Sequence, residues 1–280
     1  MNGRAVILGG GGVTGIAWQT GILQGLQDAG VELDKADAII GTSAGSFAGA
    51  YLACGVVGEY FDLQFTGDAA EIAARMPPES VEGFQKAIVE GGGDPEATGR
   101  ALGRMAMAAT TVSGEDRARV VSARLPSTGW PAASLKMTAI DAQTGELHLF
   151  DKDSGVSLTT AAEASGAVPG LWPVVEALGR TWIDGGSYSA ANAELGAAYD
   201  RVVIIAPVVT GFPGQRGTLD EVADLEAAGV DVVLIHPDER ASAAIGVNVF
   251  DPARRGSAAE AGRTQGQGLA TEVLKVWELP

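Results

Sequence analysis

The chain is short of cysteine, histidine, aromatic side chains and positive charge, and each shortage closes off a class of function. A single cysteine, Cys54, allows no intrachain disulfide and no cysteine-based metal site, which predicts a reducing, cytoplasmic setting. Only His148 and His236 are available as histidine bases. Against 35 Asp and Glu stand 19 Lys and Arg, a formal net charge of −16. Charge therefore draws the chain neither to nucleic acid nor to an anionic lipid surface. Apolar runs are short as well. None approaches the roughly 20 residues of a membrane-spanning helix, so no transmembrane segment is predicted. The run Ala5-Val6-Ile7-Leu8, after Met1-Asn2-Gly3-Arg4, is too brief for the apolar core of a signal peptide.

Glycine is abundant, at 40 of 280 residues, and 46% of side chains are hydrophobic. The glycines follow no three-residue period and no internal repeat is visible, which excludes collagen-like and solenoid architectures. Arg4–Leu8 reads as a buried strand ending in glycines, and residues 15–29 carry Ile16, Leu23 and Leu26 at helical spacing. A second apolar run, Ala38-Ile39-Ile40, ends at Gly41-Thr42-Ser43-Ala44-Gly45, and a helix is predicted over 47–53. Strand, helix, strand, helix in succession predicts parallel pairing through right-handed crossovers. From about residue 58 to 126 no strand pattern occurs; the stretch reads as a helical insertion broken at Pro77-Pro78 and Gly91-Gly92-Gly93. Residues 134–140 and 147–150 predict a strand pair around a polar turn, and 157–166 a helix. Further strands are expected at 181–183, 201–206 and 230–235. A closing helix with an irregular, glycine-rich middle is predicted over 253–277, and the whole of 1–280 as one α/β domain.

Three motifs carry the chemistry. Gly9-Gly10-Gly11-Gly12-Val13-Thr14-Gly15 lies between a strand and a helix, where backbone amides and the helix dipole favour a negative charge. It is readable as a simple turn, as a dinucleotide loop or as an oxyanion hole. Gly10, Gly12 and Gly15 satisfy G-x-G-x-x-G, but no acidic residue ends the second strand, where a Rossmann unit places its ribose ligand. Gly41-Thr42-Ser43-Ala44-Gly45 matches G-x-S-x-G, in which glycines two residues either side of a serine permit a sharp strand-to-helix turn. Both loops sit at carboxyl ends of consecutive strands and so face one edge, which favours the oxyanion reading. Asp184-Gly185-Gly186 follows the short strand at Trp182-Ile183 and reaches that edge if this strand is parallel to the first two.

A serine hydroxyl needs a base. The order Ser43, Asp184, His236 copies that of an α/β-hydrolase triad, but Ser43 comes after only one earlier strand, and Pro237-Asp238 makes His236 a plausible strand end. His148 alternates with Leu147 and Leu149 as a sheet-surface residue does. Asp184, in a partly desolvated site, is the preferred base.

Together, in this order, the three motifs resemble those of the patatin-like phospholipase family: a glycine-rich oxyanion loop, a G-x-S-x-G elbow and D-G-[GA]. The segment Ser165-Gly166-Ala167-Val168-Pro169, continuing to Pro173, resembles the family's S-x-A-x-P run, and Asp141 with Thr144-Gly145 resembles another of its turns. The resemblance implies a three-layer α/β/α sandwich with a mainly parallel sheet. It implies Ser43 as nucleophile, Asp184 as general base, and Gly10, Gly11 and Gly12 as the oxyanion region. Gly41 and Gly45 then shape the elbow, and Gly185 and Gly186 complete the aspartate motif. The substrate implied is a fatty-acyl ester or phospholipid, with no cofactor and no metal. Two positions depart from the family: Thr14 stands where Arg or Lys is usual, and Asn192 follows Asp184 later than the family's Asn. A nucleotide-binding protein using the 10–15 loop and a triad esterase with His236 are the competing readings. Met76, Met105 and Met107 lie in the insertion, where soft side chains can line an acyl groove or pack helices. Cys54, about three helical turns beyond Ser43, is expected in the core.

Overall fold

The computed structural model describes residues 3–66, 71–211 and 216–278. In chain order the strands and α-helices are β1 (Arg4–Leu8), α1 (Gly12–Asp28), β2 (Ala38–Gly41), α2 (Ala44–Cys54) and α3 (Val57–Asp62). There follow α4 (Pro78–Gly91), α5 (Pro95–Ala108), α6 (Gly114–Arg124), β3 (Leu135–Asp141), β4 (Leu147–Phe150) and α7 (Leu158–Ser165). The remainder comprises β5 (Val175–Ala177), β6 (Arg180–Asp184), β7 (Arg201–Ile205), α8 (Thr218–Ala227), β8 (Asp231–Ile235), α9 (Glu239–Ile245) and α10 (Arg255–Trp277).

The strands pair in the order β5-β6-β3-β2-β1-β7-β8, with β4 added against β3. Side chains alternate between the two faces of a strand, so β1 sends Val6 and Leu8 one way and Ala5 and Ile7 the other. The first pair packs with α1, α2 and α10, and the second with Val222 and Leu225 of α8. At the other end of the sheet, Ile140 and Ile183 pack with Ala87, Ala101 and Leu102 of α4 and α5. Helices thus cover both faces, giving a three-layer α/β/α arrangement. No helix among the described residues is long and apolar enough to cross a membrane.

The sheet is parallel from β3 through β2, β1 and β7 to β8, and antiparallel where β4, β5 and β6 join. Here the structure corrects the expected direction of the strand before Asp184: β6 runs antiparallel to β3. β3 pairs with β2 through Leu135–Met137 and with β6 through Ala139–Asp141. Strand β4 shares Met137 with β2, and Ala139 and Ile140 with β6, so β2 and β6 lie on the same flank of β3. They run head to head. The carboxyl ends of a parallel and an antiparallel strand therefore converge, and Asp184 reaches the Ser43 edge by a route that a parallel strand does not provide.

A second correction concerns the closing helix. α10 is continuous through its glycines, because those glycines are contact points and not breaks. A Cβ at Gly262 would overlap the Trp18 carbonyl and one at Gly266 the Ile22 carbonyl; on α1, Gly21 and Gly25 meet the carbonyls of Ala259 and Arg263. The two helices pack backbone to backbone, which outweighs the intrinsic cost of glycine in a helix.

Candidate active site

α1 starts at Gly12, three residues earlier than its apolar spacing suggests, so its amino-terminal amides stand directly at the sheet edge. The Gly9 amide donates to Ile205 O at 2.9 Å and the Gly10 amide to Ala190 O at 2.7 Å. Gly10 therefore contributes surface but no free donor. The amides of Gly11 and Gly12 have no acceptor among the described residues, and both glycines are half-buried. Gly12 has φ 62°, and a Cβ there would lie 2.6 Å from Val249 O; at Gly11 it would lie 2.6 Å from the Pro207 ring. Only glycine fits the turn, and the helix dipole adds its partial positive charge to the free amides.

Ser43 sits at φ 52° and ψ −114°, a conformation costly for a residue with a side chain, and α2 begins at the next residue. A Cβ at Gly45 would overlap the Leu8 carbonyl, which is how closely the elbow presses on β1. The Ser43 amide donates to Ser165 Oγ at 2.9 Å, and Ser165 Oγ lies 2.7 Å from Ser46 Oγ. The end of α7, with the residues that follow it, thus braces the elbow. It also holds the aspartate strand, since the Asp184 amide donates to Ala167 O at 3.0 Å.

Asp184 is 4% exposed. Its Oδ1 accepts the Gly186 amide at 2.6 Å, whereas Oδ2 has no well-formed hydrogen bond. Burial pushes the carboxyl up to about 6, held back by the Ser43 hydroxyl, the Gly186 amide and the charge of Arg117. The Ser43 hydroxyl lies close enough to the carboxylate to lower its pKa.

Asn192 is the residue that sequence reasoning passed over. Fully buried and left-handed at φ 51°, it donates from Nδ2 to Thr42 Oγ1 at 2.9 Å, Ser189 O at 3.1 Å and Gly185 O at 3.3 Å. Thr138 Oγ1 donates to the same Thr42 oxygen at 2.9 Å. The elbow, β3 and the Asp184-Gly185-Gly186 turn are tied through one hydroxyl. Its late position in the chain hid this role, which rests on folding and not on spacing.

Above these residues lies a mainly apolar cleft of about 240 Å³ lined by Ser43, Asp184, Met76, Phe84, Pro169 and Phe250, with the three glycines at its floor. Met76 reaches the cleft. Met105 lies near Gly83 and Gly170 and does not line the cleft, and Met107 is 46% exposed. A larger groove of about 400 Å³ between Leu23, Leu33 and Leu52 contains none of the three motifs. His236 is exposed at the end of β8, three strands from β2 or about 14 Å across the sheet, and does not line the cleft. His148 packs on Phe150 and Trp182, with ring centroids 4.7 and 5.0 Å away. Cys54 is half-buried, and burial raises its thiol pKa, leaving it a weak nucleophile. Among the described residues no cluster of three His, Cys, Asp or Glu is placed to hold a metal ion.

A mixed α/β sheet carries a serine at a strand-to-helix elbow and a buried carboxyl, and both line one apolar cleft. The sequence profile described as patatin-like phospholipase matches residues 6–196, and the chain belongs to that family. No curated protein matches the chain at a comparable standard. Among solved structures, VipD from Legionella pneumophila is similar at 16% identity and a TM-score of 0.49 over 97% of this chain. The type III effector ExoU is similar at 14% identity and a TM-score of 0.44 over 97%. ExoU in its complex with SpcU, from Pseudomonas aeruginosa, is similar at 18% and 0.42 over 98%. The chain spans 67% of VipD and 53% and 52% of the two ExoU chains.

Proposed function

We propose that the protein hydrolyses fatty-acyl ester bonds of lipids through a dyad of Ser43 and Asp184. Ser43 Oγ attacks the acyl carbonyl and its proton passes to Asp184. The oxygen that becomes negative is received by the amides of Gly11 and Gly12 at the start of α1. Collapse breaks the ester C–O bond, and the leaving alcohol takes the proton from Asp184. Water then gives a proton to Asp184 and attacks the acyl-enzyme, and the proton returns to Ser43 as the fatty acid leaves.

One observation carries the reading: a serine in a strained elbow faces a buried carboxyl whose pKa is raised to about 6, inside an apolar cleft that suits an acyl chain. A carboxylate raised to 6 is a stronger base than one in water, yet is largely ionised at pH 7. The nucleotide alternative loses support because Val249 and Pro207 lie against the glycine turn. The triad alternative loses support because His236 lies three strands away. A fluorophosphonate probe tests the reading: labelling at Ser43 is expected at pH 8 and lost in Ser43→Ala. It should be strongly slowed in Asp184→Asn and retained in His236→Ala. Absence of label at Ser43, or its loss in His236→Ala, overturns the dyad.

A further inference from the structure

The amides of Gly11 and Gly12 are bracketed by amides that are already spent. Before them, Gly9 and Gly10 donate to Ile205 O and Ala190 O. After them, the amide of Thr14, the third residue of α1, donates to Val249 O at 3.0 Å, and the Thr14 hydroxyl donates to the same oxygen at 3.3 Å. Thr14 is fully buried. The opening amides of a helix have no partner within it, so a carbonyl brought from 235 positions away fixes how this helix begins.

Pro207 and Val249 stand against the two glycines, and they are held differently. A Cβ at Gly11 would lie 2.6 Å from the Pro207 ring, and one at Gly12 would lie 2.6 Å from Val249 O. Pro207 follows β7, which pairs with β1 along its whole length, so the sheet secures it. Val249 belongs to no strand or helix and lies in the turn between α9 and α10. That turn has its own anchor. Asn248 Nδ2 donates to Ala74 O at 2.9 Å, and Asn248 Oδ1 accepts the Phe250 amide at 3.3 Å. The first of these bonds crosses 174 positions of chain, so it sets where the turn lies and not merely its shape.

We infer that Thr14 and Asn248 are positioning residues for the oxyanion hole: Asn248 fixes the 246–251 turn, and Val249 O, bonded to Thr14, holds the Gly11 and Gly12 amides toward the oxygen that becomes negative. This rests on Ser43 being the reacting residue. Neither side chain lines the cleft; both act through the backbone of Val249. Donors aimed in advance stabilise a transition state without reorganising, so a loss of aim is felt there and not in binding of the ester. The turn lies outside residues 6–196, where the family profile matches.

The test compares a ligand that forms an oxyanion with one of nearly the same shape that does not, on the full chain. With decyl trifluoromethyl ketone, Ser43 Oγ adds to the carbonyl carbon, its proton passes to Asp184, and the carbonyl oxygen takes the negative charge. Decyl methyl ketone only fills the cleft. The wild-type chain is expected to bind the fluorinated ketone at least about 100-fold more tightly. Asn248→Ala is expected to lower that ratio, and kcat on p-nitrophenyl octanoate, each by about 10-fold or more. KM and methyl ketone affinity should stay within about twofold, because acylation and deacylation both pass through an oxyanion and slow together. Thr14→Val should lower the ratio and kcat by about threefold to tenfold, and Thr14→Ser, which keeps the hydroxyl, should restore both to within about twofold.

A folded Asn248→Ala chain that keeps its ratio and kcat overturns the inference. So does one whose methyl ketone affinity falls as far as its trifluoromethyl ketone affinity, since that marks a general loss of the cleft. Should Asn248→Ala fail to fold, the Thr14 pair decides, and equal behaviour of Thr14→Val and Thr14→Ser overturns the positioning role. Wild-type protein that hydrolyses no ester and binds both ketones alike removes the hydrolase reading and the inference with it. A wild-type ratio that no variant changes removes the positioning role alone.

Discussion

In the parallel part of the sheet, β1 and β2 end in tight glycine turns that open directly into helices, and these turns present the free amides and Ser43. In the antiparallel part, β6 reaches the same edge from the opposite direction, and the aspartate it carries depends on pairing with β3. The first region places its groups by local geometry: Gly45 against the Leu8 carbonyl, Gly12 against Val249. The second places Asp184 through contacts far apart in the chain, including Ala167, Thr138 and Asn192. One site is therefore assembled from a part that is stiff because side chains are missing and a part held by a hydrogen-bonded joint. The joint is the Thr42 hydroxyl, which accepts from both Thr138 and Asn192.

The sharpest way to break the comparison is to remove the reacting group from each side. Ser43→Ala and Asp184→Asn should each lower kcat/KM on p-nitrophenyl acyl esters by about 10⁴-fold or more, with far-UV circular dichroism unchanged. A variant of either that keeps activity separates its region from the chemistry. Next in size is the pH profile. Asp184 must be ionised to take the proton, so kcat/KM should fall about tenfold per pH unit below about 6 and level off above it.

Stability distinguishes the regions differently. A Cβ at Gly45 has no space, so Gly45→Ala should destabilise by about 3 kcal/mol or more in urea unfolding. Asp184→Asn should do the reverse at alkaline pH. The folded carboxyl pKa of about 6 lies above the ordinary aspartate value of 3.8, so the neutral carboxyl's stabilising contribution is present below about 4 and lost as pH rises through 6. Holding the charge at pH 8 costs on the order of 3 kcal/mol, and the Asn variant should gain most of it there and nothing at pH 4. The smallest effect belongs to the joint: Asn192→Ala should cost about 1 to 3 kcal/mol and lower kcat/KM with the elbow itself unchanged. Equal losses in stability from Gly45→Ala and Asn192→Ala would erase the distinction between a stiff part and a bonded joint.

The parts legible from sequence are those whose physics is local. Short apolar runs ending in glycine marked β1 and β2, and G-x-S-x-G marked the elbow, because a sharp turn requires particular residues at particular spacing. β5 was missed, and with it the hairpin to the strand expected at 181–183, although Leu178 and Gly179 make its turn with φ 56° and 72°; Val175–Ala177 is too short to show a period. Helices α8 and α9 were also missed. The glycines of α10 were misread as breaks because their partner, the backbone of α1, is more than two hundred residues away.

Composition and local pattern by themselves determined an α/β chain, a serine at an elbow, a glycine turn able to receive negative charge, and an aspartate after a strand. Tertiary structure alone decided that β6 runs against its neighbours, that the Gly10 amide is already spent, that Asn192 joins two motifs and that Arg117 is buried against the Trp172 ring. The division follows from range. Turn chemistry is set by residues a few positions apart, whereas strand direction, amide availability and the burial of a charge depend on which distant segments the fold brings together.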